Sequence, residues 1–431
     1  MYQQQQQRRR TTHCPTGHSS NVAYNNELNY ISFYSGNCNL CTKEQFIQEL
    51  KTWSSGNVNL DKVIQEFQIK VGFKLQWIPY ENFHDIKYLA DGGYSTVYSA
   101  ILKNGMKAYW NYNKKQWNYA YINSPIALKE LKDSKYDISE FLKEIKNLMI
   151  GNDYYYNTVF YGISKNPSTQ NYIIFMLLYE DNLHRFLVKK PLRWDSRIGL
   201  LRQIIEGLDN LHRKNLVHGN LHSGNILMEN CESISARIAD FGFNGLTKNL
   251  IKKSSDDNNK NINIYGLIPY IPPEVLQGNA FTKEGDIYSF GGIMYEITIR
   301  KRPFYERAHD SNLISDICFN GVRPQIPDMQ DLMPKFYSDL IYRCWNANPS
   351  DRPTTKELSD IFKNIYYLFE GYIKDDNALG KFKTINDEKE IIHPQSCYIS
   401  RNIYTLYGLQ DSLKSIKSGK CADPNLLKFN E

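Results

Sequence analysis

The sequence predicts an α+β fold of two lobes, the first rich in strands and the second rich in helices. Three observations carry that prediction. LADGGYSTVYSA at 89–100 reads as two antiparallel strands joined through Gly92 and Gly93, and IALKEL at 126–131 as a buried strand. SEFLKEIKNL at 139–148 has helical spacing, with Glu144 and Leu148 on one face, and GDIYSFGGIMYE at 285–296 reads as a core helix. The third is size: 431 residues, 41% hydrophobic and 23% charged, hold one large domain with extensions, because single cores stop growing near ~250–300 residues.

The net charge of +6 is mild for this length, and Lys and Arg alternate with Asp and Glu without forming a basic face, so no nucleic-acid partner is implied. Cys14, Cys38, Cys41, Cys231, Cys318, Cys344, Cys397 and Cys421 are scattered through a chain too long to need staples, which favours reduced thiols. MYQQQQQRRR has no apolar stretch behind its charges and does not read as a secretory signal. The most apolar run, YIIFMLLY at 172–179, falls short of the ~20 residues a membrane helix needs. The expectation is a soluble cytoplasmic protein with a protein partner or substrate.

In chain order, residues 1–41 are polar and open on glutamines and arginines. Such a segment buries too little apolar surface to offset ordering, so it is expected to be mostly disordered. Within it Cys14 and His18, then Cys38 and Cys41, give a Cys-x3-His followed by a CxxC. These spacings suit tetrahedral zinc, but the intervening stretch is polar and poor in turn glycines, so unligated thiols ahead of a helix are the favoured reading. Residues 42–82 form a helical extension. It starts on the capping-box pattern TKEQ, with Phe46, Leu50 and Trp53 on one face, and a second short helix carries Val63, Ile64 and Phe67. The first lobe then spans 83–181 and the second 182–372, and 373–431 is an irregular tail. Two insertions interrupt the lobes: an aromatic, lysine-bearing stretch at 103–124, and the hydrophilic run at 252–263, which is expected to be mobile.

In the glycine loop, backbone amides can approach phosphate oxygens because no side chain intervenes. The loop is a weak signal alone. Lys129 on the strand that follows and Glu144 on the next helix strengthen it. Downstream stand VHGNLHSGNILM at 217–228, ADFGF at 239–243, PPEVL at 272–276 and CWNANPSDRP at 344–353. With these in place the chain resembles the eukaryotic protein kinase superfamily, of the tyrosine-kinase-like type, over roughly two-thirds of its length.

The resemblance implies a two-lobed kinase fold, Mg-ATP as cofactor and intracellular signalling by phosphoryl transfer. Lys129 would bind the α- and β-phosphates and pair with Glu144. Ala90, Gly92 and Gly93 lie in the phosphate loop, Val97 and Ala127 above the purine, and Leu227 below it. Met176 would be the gatekeeper, with Leu177 and Tyr179 in the hinge. Asn225 and Asp240 would hold magnesium, and Glu274 would pair with Arg352. TWSSGN at 52–57, LQWIPY at 75–80 and HPQSCYISR at 393–401 are also similar to a large group of fungal kinase-like proteins, in which the first cysteine pair differs from the one here.

The catalytic loop departs from the family. Asn220 stands where the catalytic aspartate belongs, and a neutral amide cannot accept the substrate hydroxyl's proton. Gly219 replaces the arginine that clamps a phosphorylated activation loop, and His222 stands where many members carry lysine. Ala90 and Ser95 replace the first and third glycines of the phosphate loop. The expectation is therefore a protein that binds nucleotide with weak or no transfer. An active kinase and an ATP-independent interaction module are the alternatives, and serine/threonine versus tyrosine preference is left open.

Overall fold

The computed structural model describes residues 14, 16–18, 36–69, 75–136, 138–151, 153, 155–229, 234–241, 262–326, 334–372 and 392–426. It divides into two compact units, Met1–Leu142 with Phe160–Leu178, and Lys143–Val159 with Tyr179–Glu431. The glutamine-rich start and most of the 252–263 insertion lie outside the described residues.

The first unit is built on a six-stranded sheet. Its strands are β1 (Gln76–Trp77), β2 (Phe83–Asp91), β3 (Ser95–Leu102), β6 (Ser124–Leu131), β7 (Phe160–Lys165) and β8 (Tyr172–Leu177), in the order β1-β7-β8-β6-β3-β2. All neighbours are antiparallel except β1, which runs parallel to β7. Alternation along the strands separates two faces. Ala100, Leu102, Ile126, Leu128, Ile173 and Phe175 form one face, which packs with Ile78, Phe83 and Met106 into a buried cluster. The register places Val97 opposite Lys129 and Ala127 opposite Met176, so these four side chains share the other face.

The aromatic insertion is a hairpin, β4 (Met106–Asn111) with β5 (Gln116–Ala120). It is covered by helix α1 (Asn39–Gln48): the Phe46 and Trp117 ring centroids are 4.6 Å apart, and Trp117 Nε1 donates to Glu49 Oε1 at 2.8 Å, while Lys107 pairs with Glu49. Helix α2 (Val58–Ile69) follows and buries Leu60, Val63, Ile64 and Phe67. The first helix begins three residues before the capping-box threonine. Cys38 is its N-cap, and Thr42 lies inside the first turn, its hydroxyl donating back to Cys38 O at 2.9 Å, so Thr42 does not cap the helix.

Helix α3 (Ile138–Gly151) is shared between the two units, which divide after Leu142. From Lys143 the chain is held by second-unit partners. A Cβ on Gly151 would meet the Phe241 ring at 2.3 Å, Asn157 Nδ2 donates to Gly151 O, and Thr158 N donates to Ile238 O.

In the second unit, strand β9 (Asp181–Asn182) leads into helix α4 (Leu183–Lys189), and helix α5 (Trp194–Arg213) packs against the long helix Thr355–Tyr372. Strands β10 (Ile226–Glu229) and β11 (Ser235–Ile238) complete a small sheet with β9. The helix Lys283–Ile299 is buried from Gly285 to Ile299 and forms the centre of this unit. Glu274 and Arg352 are joined by two hydrogen bonds of 2.7 and 2.8 Å.

The tail is mostly turns but contains one strand that the sequence did not announce. Strand β13 (Arg401–Tyr404) pairs antiparallel with β12 (Asn263–Gly266). Ile403 and Leu406 join the buried cluster formed by Ile264, Ile268, Val275, Leu313 and Ile314. Among the described residues no helix is long and apolar enough to cross a membrane.

Candidate functional site

In the first unit the residues expected at the nucleotide lie on adjacent strands. Lys129 is only 6% exposed on the central strand β6, where a cation is stable only when paired. Val97, Ala127 and Met176 flank it on the same face, and Ala90 sits opposite Val97 on β2. The phosphate loop is a tight turn: Gly92 N donates to Ser95 O at 2.8 Å. Lys132 Nζ braces it, donating to Gly92 O at 2.7 Å and to Asp91 Oδ2 at 2.8 Å, and this bond is the main cause holding the Asp91 carboxyl below its usual range. Gly93 is exposed in the same turn. Leu177 ends β8 with its side chain on the opposite face from Met176.

In the second unit the catalytic loop hangs from one buried carboxylate. Asp286, at the start of the buried helix, accepts hydrogen bonds from the backbone N–H of His218 and of Gly219, both at 2.8 Å, and lies 2.9 Å from His212 Nε2. Gly219 has φ +70°, a left-handed conformation that an arginine side chain would enter only at a cost. The sequence placed Asp286 on a core helix but not in this role; the signal would have been an acid directly ahead of the apolar run that begins at Ile287.

The loop then folds on itself. Asn220 N donates to His218 Nδ1 at 3.2 Å, and His218 Nε2 in turn donates to Ala239 O at 3.0 Å. Asn225 Nδ2 donates to Asn220 O at 2.9 Å, which fixes the orientation of the Asn225 amide. Ala239 N donates to Asn225 O at 2.8 Å, so the residue before Asp240 is fastened to Asn225 itself. Asp240 has φ +61°, an uncommon conformation for a non-glycine residue and one that concentrates at functional sites. The backbone bond from Ala239 thus ties the start of the Asp240 segment to Asn225.

Asn220 is half-buried, and its Oδ1 lies 3.5 Å from where a Cβ on Gly266 would sit, beside strand β12. Glu144 is fully buried on α3, and Tyr179 and Leu227 are half-buried, Leu227 on β10 opposite Asn182. Burial is the leading cause that pushes His218 down and His222 down to about 3, so both rings are neutral near pH 7. His222 Nδ1 accepts from Gly224 N at 3.1 Å, and Nε2 faces the tail hydroxyl of Ser400 at 3.2 Å. That contact was not foreseen, although HPQSCYISR had marked the segment that makes it.

Cys14, His18, Cys38 and Cys41 also come together, their ligand atoms all within 4.8 Å of one another. The reading of unligated thiols did not foresee this convergence. It treated the segment as lacking apolar support, whereas Leu40, Trp110 and Tyr112 supply it.

Residues 83–362 match the family described as protein tyrosine and serine/threonine kinase. Among curated relatives, a probable LIM domain-containing serine/threonine-protein kinase of Dictyostelium discoideum is 30% identical over 233 residues, 53% of this chain and 34% of that protein. The probable serine/threonine-protein kinase kinX of the same organism is 27% identical over 330 residues, 73% of this chain and 27% of that protein. The receptor-interacting serine/threonine-protein kinase 4 of Mus musculus is 26% identical over 272 residues, 61% of this chain and 33% of that protein. The chain therefore spans about a third or less of the length of these relatives.

Proposed function

The chain belongs to the protein tyrosine and serine/threonine kinase family, of the tyrosine-kinase-like type, and from that premise we propose that it binds Mg-ATP but transfers phosphate to protein hydroxyls weakly or not at all. It would act in cytoplasmic signalling mainly through its nucleotide-bound fold.

Nucleotide binding is supported by two donor sets. Lys129 supplies a nearly buried cation beside Val97, Ala127 and Met176, the apolar residues expected around the purine. Asn225, held by Asn220 O and joined through its own carbonyl to Ala239 N, and the adjoining Asp240 would supply oxygen ligands for the metal. Asn225 and Asp240 would hold magnesium, which would supply charge neutralisation for the phosphates. Lys129 would steady the phosphate oxygens, and the turn at Gly92 and Gly93 would present backbone amides to them.

One observation carries the reading of weak transfer. The loop around Asn220 keeps an ordered hydrogen-bond frame through His218, Asn225 and Asp286, yet the side chain it presents is an amide. The amide oxygen is too weak a base to take a proton at neutral pH, and loss of general-base catalysis typically costs ~10²–10⁴ in rate.

Thermal denaturation of the full chain with millimolar Mg-ATP tests the binding half. A raised melting temperature is expected, abolished in Lys129→Met and Asp240→Ala; ligand at 100 times its Kd stabilises by about 2.7 kcal/mol. No shift in the parent chain would leave the interaction-module reading in its place.

A second reading, an active kinase, is favoured by that same frame and by relatives named serine/threonine-protein kinases. Phosphoryl transfer is largely dissociative, so positioning and metal electrostatics can sustain turnover without a strong base.

A further inference from the structure

None of the nucleotide motifs uses Cys14, His18, Cys38 or Cys41, yet their side chains form a closed cluster. A metal centre of three sulfurs and one nitrogen has a fixed shape. With zinc about 2.3 Å from sulfur and about 2.0–2.1 Å from nitrogen, tetrahedral geometry sets sulfur–sulfur edges of about 3.8 Å and sulfur–nitrogen edges of about 3.5 Å. Cys14 Sγ lies 3.7 Å from Cys41 Sγ. His18 Nδ1 lies 3.4 Å from Cys14 Sγ, 3.4 Å from Cys41 Sγ and 3.5 Å from Cys38 Sγ, and no pair of ligand atoms exceeds 4.8 Å. The Cys14–Cys41 separation is far beyond a disulfide bond of about 2.05 Å.

The surroundings separate a metal site from a chance packing of thiols. The other ring nitrogen of His18, Nε2, lies 3.1 Å from Glu44 Oε1. That contact holds the proton on Nε2 and turns the lone pair of Nδ1 toward the three sulfurs, the outer-shell arrangement of a ligating histidine. An apolar cluster would not orient the ring in this way. The hydroxyl of Thr16 lies 2.9 Å from Cys14 Sγ and 3.1 Å from Cys41 Sγ, in place to donate to a thiolate. Cys38 caps the ten-residue helix α1, and Cys41 lies in its first turn, where the helix dipole favours negative charge. All three cysteines are buried against Leu40, Trp110 and Tyr112.

Backbone geometry prepares both halves. Cys14 N donates to His18 O and Gly17 N donates to Cys14 O, both at 2.9 Å, which closes the first ligand pair into a tight turn with Gly17 at φ +90°. The second pair is keyed to the hairpin: Tyr112 N donates to Gly36 O and Trp110 N to Thr42 Oγ1, each at 3.1 Å.

We propose that Cys14, His18, Cys38 and Cys41 bind one structural zinc ion that fastens the N-terminal segment to helix α1 and the β4–β5 hairpin. Three thiolates and a neutral imidazole favour zinc over hard cations, and with all four positions filled by protein the site is structural, not catalytic. The metal would bring together residues 18 and 38, a loop closure whose entropy is otherwise unfavourable.

The test is metal analysis of the purified full chain by inductively coupled plasma mass spectrometry. One zinc per chain is expected, lost in Cys38→Ser and in Cys41→Ser and kept in Cys421→Ser, whose thiol is exposed elsewhere. Glu44→Gln should keep the ion but bind it about 10–100-fold more weakly, as loss of an outer-shell partner does. Cobalt supplied to the metal-stripped parent chain should give the intense visible bands of tetrahedral thiolate coordination, a readout that needs no variant to fold. Parent chain carrying no zinc and giving no such bands would overturn the proposal, as would zinc retained in the Cys38→Ser, Cys41→Ser double variant or an iron–sulfur chromophore in its place.

Discussion

Nε2 of His222 in the catalytic loop lies 3.2 Å from the hydroxyl of Ser400 in the tail, a contact spanning 178 residues of sequence. Because Nδ1 accepts from Gly224 N, the neutral ring carries its proton on Nε2, and Ser400 is its acceptor. Ser400→Ala should therefore strand a buried donor and cost about 1–3 kcal/mol, read as a lower urea midpoint. Ser400→Thr should restore most of it. An alanine variant as stable as the parent chain would show that the contact is incidental.

The tail strand should behave as core. Ile403 is fully buried against Ile264 and its cluster, so Ile403→Ala is expected to cost about 2–5 kcal/mol in chemical denaturation. Tyr404, its exposed neighbour, should tolerate the same change with little loss. Equal, small effects at both positions would mean that the tail is not docked in solution.

Acid should loosen the same region. His309 Nδ1 lies 2.8 Å from Cys397 O and 2.9 Å from Cys397 N, and Nε2 donates to Phe304 O; burial is the leading cause that holds the ring down to about 4, aided by Arg401 and Arg302 and opposed by the carbonyl contacts. In the unfolded chain it protonates near ~6.5. Between those values the unfolded state binds a proton that the folded state refuses, so stability is full above about 6.5 and falls as pH drops toward 4. His222, at about 3, acts in the same direction. Urea midpoints measured from pH 7.5 to 4 should show this slope, and His309→Gln, though less stable throughout, should show a shallower one. A parallel profile in the variant would assign the slope elsewhere.

The Glu274–Arg352 pair should also matter for stability. Arg352 is buried, and besides its two bonds to Glu274 it donates to Asn346 O and Glu284 O. Glu274→Ala leaves that guanidinium buried without its counter-ion, which is expected to cost about 3–5 kcal/mol in thermal or urea unfolding. Arg352→Lys should lose much of this too, because an ammonium cannot reproduce the fork.

What could be read from the sequence followed from local rules. Local strand patterns marked the segments that carry Val97, Ala127 and Lys129, and the resemblance singled out Met176, Asn220, Asn225 and Asp240 as candidates. The rest depended on partners distant in sequence. Asp286 receives its hydrogen bonds from residues 67 and 68 positions earlier. Strand β13 exists because β12 offers it an edge, and four residues at 401–404 carry no period of their own. The first helix starts at Asn39 with Cys38 at the N-cap position but making no side-chain cap bond, so no local capping signal marks that start and the threonine pattern at Thr42 points three residues too late. The cysteine cluster showed its spacing in sequence but not its apolar support, which comes from a hairpin about seventy residues further on.

The central claim, that an amide at position 220 limits transfer on an otherwise prepared nucleotide site, is tested most directly by radiolabelled ATP turnover of three full chains: the parent, Asn220→Asp and Asp240→Ala. The restored aspartate should exceed the parent by ~10²–10⁴, with Asp240→Ala inactive. Parent turnover equal to that of Asn220→Asp, and abolished by Asp240→Ala, would contradict it.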